Sequence, residues 1–228
     1  MFHVFNGISL HGGLVVSRPV SQMRAEITVR NLISFWKEFG LPDYAQFDNS
    51  TVFQGSRMSD SLGRVIRFCL SLGVIPVFVP PHETGFQASI ESYNGRWKKG
   101  VWQRFYFENL GAVLLQSAKY VEAVIAKNAS RRDATPTRWE FPSDWQLNYQ
   151  QQPKGKVIFI RRANDQGQVE VMGHRWRLSG EVAHRLVRAE VDLSKNKIDF
   201  YRLRRREPDD QQHLGTAIYR FPNKPFNE

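Results

Sequence analysis

Phe78-Val-Pro-Pro-His-Glu-Thr-Gly-Phe-Gln-Ala-Ser-Ile-Glu91-Ser-Tyr-Asn94-Gly-Arg-Trp-Lys-Lys99 runs from a β-prone segment through a loop rich in proline and glycine into a helix. The helix is expected from about Phe86 to Tyr106, with one carboxylate, Glu91, in its first turns. On helical spacing Gln87 (i−4) and Lys98 (i+7) share the face of Glu91, and Asn94 and Gly95 follow at i+3 and i+4. Arg96, Lys99 and Arg104 extend a basic surface that suits phosphate. Gly95 costs roughly 1 kcal/mol of helix propensity against alanine, which close approach of a nucleic-acid backbone would explain. Trp97, Trp102 and Phe105, also at helical spacing, read as core.

Upstream, Val74–Val79 reads as a strand, with Pro76 pointing to an edge or an end. Residues 57–72 carry a helical period through Met58, Leu62, Val65, Ile66, Cys69 and Leu70, closed by Gly73. Before that, Tyr44–Phe47 reads as a strand that delivers Asp48-Asn49 to its carboxyl end, the edge where open α/β sheets collect ligands. A helix over residues 21–39 is expected, N-capped by Ser21 and ended at Gly40. Residues 2–20 give two short strands around the turn signal His11-Gly-Gly13. A further helix spans Leu110 to Ala126. Strands thus alternate with helices over residues 1–130, which implies an α/β sandwich.

Residues 131–152, rich in Arg, Pro, Trp and Gln, read as an extended linker. From Pro153 the helical period disappears. Five short runs follow between Val157 and Leu203, punctuated by Gly, Asn and Asp, as in a small all-β barrel over residues 153–206. Residues 207–228 read as a polar, mobile tail.

The 228 residues carry a formal net charge of +10, which favours a polyanionic partner. Residues 153–206 hold 14 Lys/Arg against 6 Asp/Glu, so the barrel is the most basic part. Arg161, Arg162, Arg175, Arg177, Arg204 and Arg205, interleaved with Trp176 and Tyr201, suit nucleic acid. Cys69 is the single cysteine, so neither an internal disulfide nor a cysteine zinc site is expected. The histidines show no ligand spacing. No apolar run is long enough to cross a bilayer, and the N-terminal residues lack the pattern of a signal peptide. A cytoplasmic, nucleoid-associated protein is expected.

Two carboxylates brought together at a sheet edge can hold divalent cations, and two such ions can serve phosphoryl transfer. Asp48-Asn49 also fits a plain turn, and Glu91 a solvated first-turn carboxylate.

Gly40-Leu-Pro-Asp-Tyr-Ala-Gln-Phe-Asp48-Asn49-Ser-Thr-Val-Phe53 resembles the second-aspartate motif of the integrase catalytic core, found in retroviral integrases and bacterial insertion-sequence transposases. Gly73-Val-Ile through Pro80-Pro and Gly85 to Asn94 resembles the glutamate motif of the same family. The segment from Pro153 resembles its SH3-like DNA-binding domain, so the resemblance covers residues 1–205. It implies an RNase H-like core followed by an SH3-like barrel, and Asp48 and Glu91 as catalytic metal ligands for Mg²⁺ or Mn²⁺. It further implies Asn49, Gln87, Asn94, Arg96, Lys98, Lys99 and the barrel arginines as DNA contacts. The implied activity is strand transfer of DNA 3′-ends into target phosphodiesters by a homo-oligomer binding element ends and target. The family's first aspartate has no counterpart here. The acids before Asp48 are Glu26, Glu38 and Asp43, and Phe2–Ser9 looks like the core's second strand. A core lacking its first strand, with impaired strand transfer, is therefore expected. A non-catalytic DNA-binding or oligomerisation remnant and an RNase H-like nuclease are the rival readings.

Overall fold

The computed structural model describes residues 2–56, 59–81, 83, 85–133, 138–178, 182–204, 206–207 and 210–227, with the side chains of 132 and 133 left aside. The expectations placed on Met58 and Arg205 lie outside the described residues, as do His82 of the loop, Gly180 of the expected barrel and Pro208 of the expected tail. The protein is a mixed α/β chain in two compact units. Unit 1 comprises Met1–Gly40 and Thr84–Phe141; unit 2 comprises Leu41–Glu83 and Pro142–Glu228. Among the described residues no helix is long and apolar enough to cross a membrane.

Unit 1 starts with an antiparallel hairpin, β1 (His3–Ile8) and β2 (Val15–Val20), in register from His3 opposite Val20 to Ile8 opposite Val15. α1 (Ala25–Phe39) buries Val29, Leu32, Phe35 and Trp36, the face its spacing predicts. The helix begins four residues after the expected cap: extended Arg24 occupies the N-cap position and makes no side-chain cap bond. Gly40 ends it at φ 83°, donating its N–H to the Trp36 carbonyl. α4 (Ala88–Trp97) is shorter than the expected helix and passes into a π-helical turn over Lys98–Trp102. α5 (Leu110–Lys127) is capped by Asn109, whose Oδ1 accepts the Ala112 N–H at 3.0 Å. α6 (Ala129–Asp133) occupies the start of the expected linker.

Tyr93, Trp97 and Val101 are buried at four-residue intervals across the π turn. Trp97, Val101 and Val113 form a core cluster with Phe2, Val4, Phe107 and Tyr120 packed against it. The widened turn brings Gly100 against the Tyr120 ring, where a Cβ would sit 2.7 Å from Cε2, so only glycine fits. Trp97 is core as expected, at 5% exposure, but Trp102 and Phe105 remain over two-fifths exposed. The π turn rotates them off the buried face.

Unit 2 is built on a six-stranded sheet in the order β10-β9-β8-β5-β4-β3. β3 (Tyr44–Phe47), β4 (Ile75–Phe78) and β5 (Lys156–Arg162) run parallel, and β5, β8 (Leu186–Asp192), β9 (Lys197–Arg202) and β10 (His213–Ile218) run antiparallel. The helix expected over 57–72 is present as the shorter α3 (Arg64–Ser71), and an additional short helix, α2 (Thr51–Gln54), precedes it. β6 (Gln168–Val171) and β7 (His174–Arg177) form a separate ribbon.

Three expectations are revised. First, the sheet extends across the stretch assigned to a linker: β5, from the expected barrel, pairs with β4 through Val77–Ile158 and Phe78–Phe159. β5 is accordingly buried on both faces from Val157 to Ile160, as a central strand must be. Second, β4 is interior despite Pro76. Its ladder to β5 begins only at Val77, past the residue that lacks a donor. Third, the tail contributes β10, which pairs with β9 from Ile218–Lys197 to His213–Tyr201, and Tyr219 beyond it is buried. Polar composition hid a strand that needs only one buried side.

Candidate functional site

Asp48 follows directly on β3, which is anchored by rings. Phe47 is buried and stacks on Phe53 at 5.1 Å; Phe78 stacks on Phe159 at 5.3 Å and lies 6.1 Å from Phe47. This aromatic row locks the ends of β3, β4 and β5 together, each contact being worth about 0.5–1.5 kcal/mol beyond its buried area. Asp48 is half-buried, and its Oδ1 accepts the Ser50 N–H at 2.8 Å. The carboxylate therefore makes the Asx turn that starts α2, while still standing at the strand's carboxyl end.

Because β3, β4 and β5 are parallel, their carboxyl ends share one edge of the sheet. The Asn49 Nδ2 donates to the Val79 carbonyl just past β4, and the Asn49 Oδ1 is buried without a partner among the described residues. Arg161, at the end of β5, donates from Nη1 to the Ile160 carbonyl at 2.9 Å and to that same Val79 carbonyl at 3.5 Å. Its guanidinium lies 5.0 Å from the Phe159 ring centre, and burial pushes its pKa down to about 10. Arg162 pairs with Glu83 and donates to the His184 carbonyl. The structure thus brings Asp48, Asn49, Arg161 and Arg162 to one edge, with Arg161 turned inward and Arg162 ion-paired.

Glu91 lies in unit 1, in the first turn of α4, exposed. Its N–H is received by the carbonyl of Gln87, which sits at the N-cap (φ −120°, ψ 14°) rather than inside the helix. Asn94 is exposed, and its Oδ1 accepts from Asn6 Nδ2 of β1 at 2.8 Å. Lys98 closes α4 with helical dihedrals, so it keeps the phase of Glu91 and Asn94. Lys99 falls within the π turn, where that phase slips. Both lysines are exposed. A Cβ on Gly95 would meet nothing within 4 Å.

Arg96 is also exposed, but on a different side of α4. With Ser89 and Ser92 it faces a groove whose other wall carries Asn128 and Arg131. Sequence reasoning missed Ser89, Ser92 and Arg131. The two serines carry no charge signal, and Arg131 falls where the sequence reads as linker.

Arg175 and Arg177 alternate with His174 and Trp176 on β7, and the two arginines face outward. Trp176 turns inward, donating Nε1–H to the Val171 carbonyl at 3.2 Å. Arg204 is held by Glu207 at 2.8 Å and by Asp210. Arg205 lies outside the described residues.

Asp48 belongs to unit 2 and Glu91 to unit 1. Each is a hard-oxygen ligand of the type Mg²⁺ or Mn²⁺ prefers. Among the described residues no three His, Cys, Asp or Glu side chains form a group that could hold a metal; the ligand type of each carboxylate fits. Compared with known proteins, the chain matches no protein-family model and no curated protein.

Proposed function

We propose that this chain is a DNA-binding protein of the DDE transposase and integrase type, with an RNase H-like core and a basic SH3-like portion. The observation that carries the reading is the shared carboxyl edge of β3, β4 and β5. There the aspartate of one sequence motif meets basic groups from the segment that resembles the DNA-binding domain. The order hairpin, helix, β3, helix, β4, glutamate helix supports it further. On this reading Asp48 and Glu91 are the metal-ligating carboxylates. The barrel arginines, Lys98, Lys99 and the Gln87–Asn94 face hold phosphate. The protein works as a homo-oligomer on element ends and target, in the cytoplasm at the nucleoid.

Glu26 and Glu38 lie exposed at opposite ends of α1, and Asp43 precedes β3 at the end remote from Asp48. A non-catalytic DNA-binding role is the second reading this favours.

The test is two-part. Anisotropy of a labelled duplex should show affinity falling steeply with salt. In a strand-transfer assay with Mg²⁺ or Mn²⁺, joining by the chain should disappear in Glu91→Gln and Asp48→Asn. Robust turnover that survives Glu91→Gln would sink the assignment. Binding indifferent to salt would sink the DNA reading itself.

A further inference from the structure

α4 presents two polar faces. Glu91, Asn94 and Lys98 lie on one; Ser89, Ser92 and Arg96, at i, i+3 and i+7, lie nearly half a turn away. The second face forms one wall of a groove of about 380 Å³ within unit 1. The turn between β1 and β2 and the end of α5 with α6 form the rest.

The chemistry of the walls is one-sided. Arg96 and Arg131 line the groove, and among the described residues no Asp or Glu does. Arg131 is steadied by its Nη2 donating to the Leu10 carbonyl at 3.4 Å. A third guanidinium stands close: Arg138 Nη2 donates to the Oγ of Ser9, itself a lining residue. The Ser89 and Ser92 hydroxyls add donors without charge. The turn is held in place by Gly13 at φ +64°, where a Cβ would lie 2.7 Å from Asn128 Cβ, and by Asn128 Nδ2 donating to the Gly13 carbonyl at 3.1 Å. The floor is apolar, with Val15 buried. Cationic donors around an apolar floor suit an anion carried on a less polar body, as a phosphate is carried on a sugar.

We infer that this groove is a phosphate site that takes a backbone phosphodiester of nucleic acid, held between Arg96 and Arg131 with the Ser89 and Ser92 hydroxyls. The inference rests on the DNA-binding reading but not on Asp48 or Glu91, since it uses the other face of α4. It gives Arg96 a different role from Lys98.

The experiment uses the full chain and its Arg96→Gln, Arg131→Gln and double variants. Duplex binding is followed by anisotropy over a salt series. Each lost phosphate contact should lower the slope of log K against log salt by about 0.9, so the double variant should lose about 1.8 while melting as the parent does. In parallel, a ¹⁵N-labelled chain is titrated with inorganic pyrophosphate, and the Ser89 and Ser92 amides should shift in the parent and not in the double variant. A parent that binds DNA with a slope unchanged in the double variant overturns the inference and leaves the DNA-binding reading standing. A parent that fails to bind DNA overturns the nucleic-acid ligand together with that reading. Amides that stay unmoved by pyrophosphate overturn the anion site itself.

Discussion

The hydroxyls of Tyr93 and Ser17 lie 2.7 Å apart in the interior of unit 1, and this contact joins α4 to β2. It continues into a short buried chain. Trp97 Nε1 donates to Ser117 Oγ at 2.9 Å, and Ser117 Oγ donates to the Ser17 carbonyl at 2.9 Å. Burying Tyr93 and Trp97 contributes about 4–6 kcal/mol each at ~25 cal/mol per Å². That attraction has no direction. The hydrogen bonds select the one rotation of α4 that leaves no buried donor unpaired, and so they aim Glu91 outward. Ser117→Ala should therefore cost about 2–3 kcal/mol, because it strands both the Trp97 N–H and the Ser17 carbonyl. Tyr93→Phe should cost about 1 kcal/mol. Chemical denaturation of the two variants checks the order; equal costs would contradict it.

The same tyrosine makes unit 1 sensitive to alkali. Burial pushes the Tyr93 pKa up to about 12, against the opposing hydrogen bond from Ser17, with Tyr120 adding to the rise and Arg96 opposing it. A pKa raised in the folded state gives stability that is fully present below the unfolded value near 10 and lost as pH rises through the folded one. Stability should fall between about pH 10 and 12, less steeply in Tyr93→Phe. A parent and variant with parallel alkaline profiles would count against the buried phenol.

In unit 2, Asp60 carries an acid-side dependence. Its Oδ1 accepts from Tyr219 Oη at 2.8 Å and pairs with His174 Nε2 at 2.8 Å. Burial works to raise its pKa, but these two bonds and the charges of His174 and Lys224 outweigh it, and the net shift is downward. A depressed carboxyl gives stability that is present above the unfolded value and lost as pH falls through the folded one. Acid titration should show that loss below about pH 4. Asp60→Ala should remove it, at a cost of about 2 kcal/mol at neutral pH. Tyr219 fluorescence and near-ultraviolet dichroism report the transition.

Gly95 separates helix energetics from function. A Cβ there meets no atom within 4 Å, so Gly95→Ala should stabilise α4 by up to about 1 kcal/mol. If nucleic acid approaches this face closely, the same change should weaken duplex binding several-fold. A variant that is more stable and binds DNA as the parent does would remove Gly95 from the interface.

The β6–β7 ribbon gives a cleaner test of the basic surface. Arg175 and Arg177 face outward, whereas Arg204 is held by Glu207 and Asp210. Arg175→Gln with Arg177→Gln should lower the salt slope of DNA binding by about 1.8. Arg204→Gln should lower it by less than half as much per residue. Equal effects would show that ion pairing does not set which arginines meet phosphate.

Local chemistry was enough for several elements. Tyr44-Ala-Gln-Phe47 is a strand, Leu110–Lys127 a helix, and Gly40 a helix end, each where residue pattern places it. Asp48 at the carboxyl end of β3 and Glu91 in the first turn of α4 follow from the same local reading. Tertiary structure decided the rest. The apolar run Val157–Ile160 marks a strand but not its neighbour, because backbone donors and acceptors on a strand edge are alike in every sequence; pairing with β4 came from the aromatic row of Phe47, Phe78 and Phe159. The strand in the polar tail required the open edge of β9. The π turn after Trp97 required the Tyr120 ring against Gly100. Arg131 became part of a groove with Ser89 and Ser92 only when α6 folded against the β1–β2 turn. Sequence by itself determined which residues carry charge and which of the strongly patterned segments are helix or strand. Folding decided which charges meet, because that depends on contacts between residues far apart in the chain.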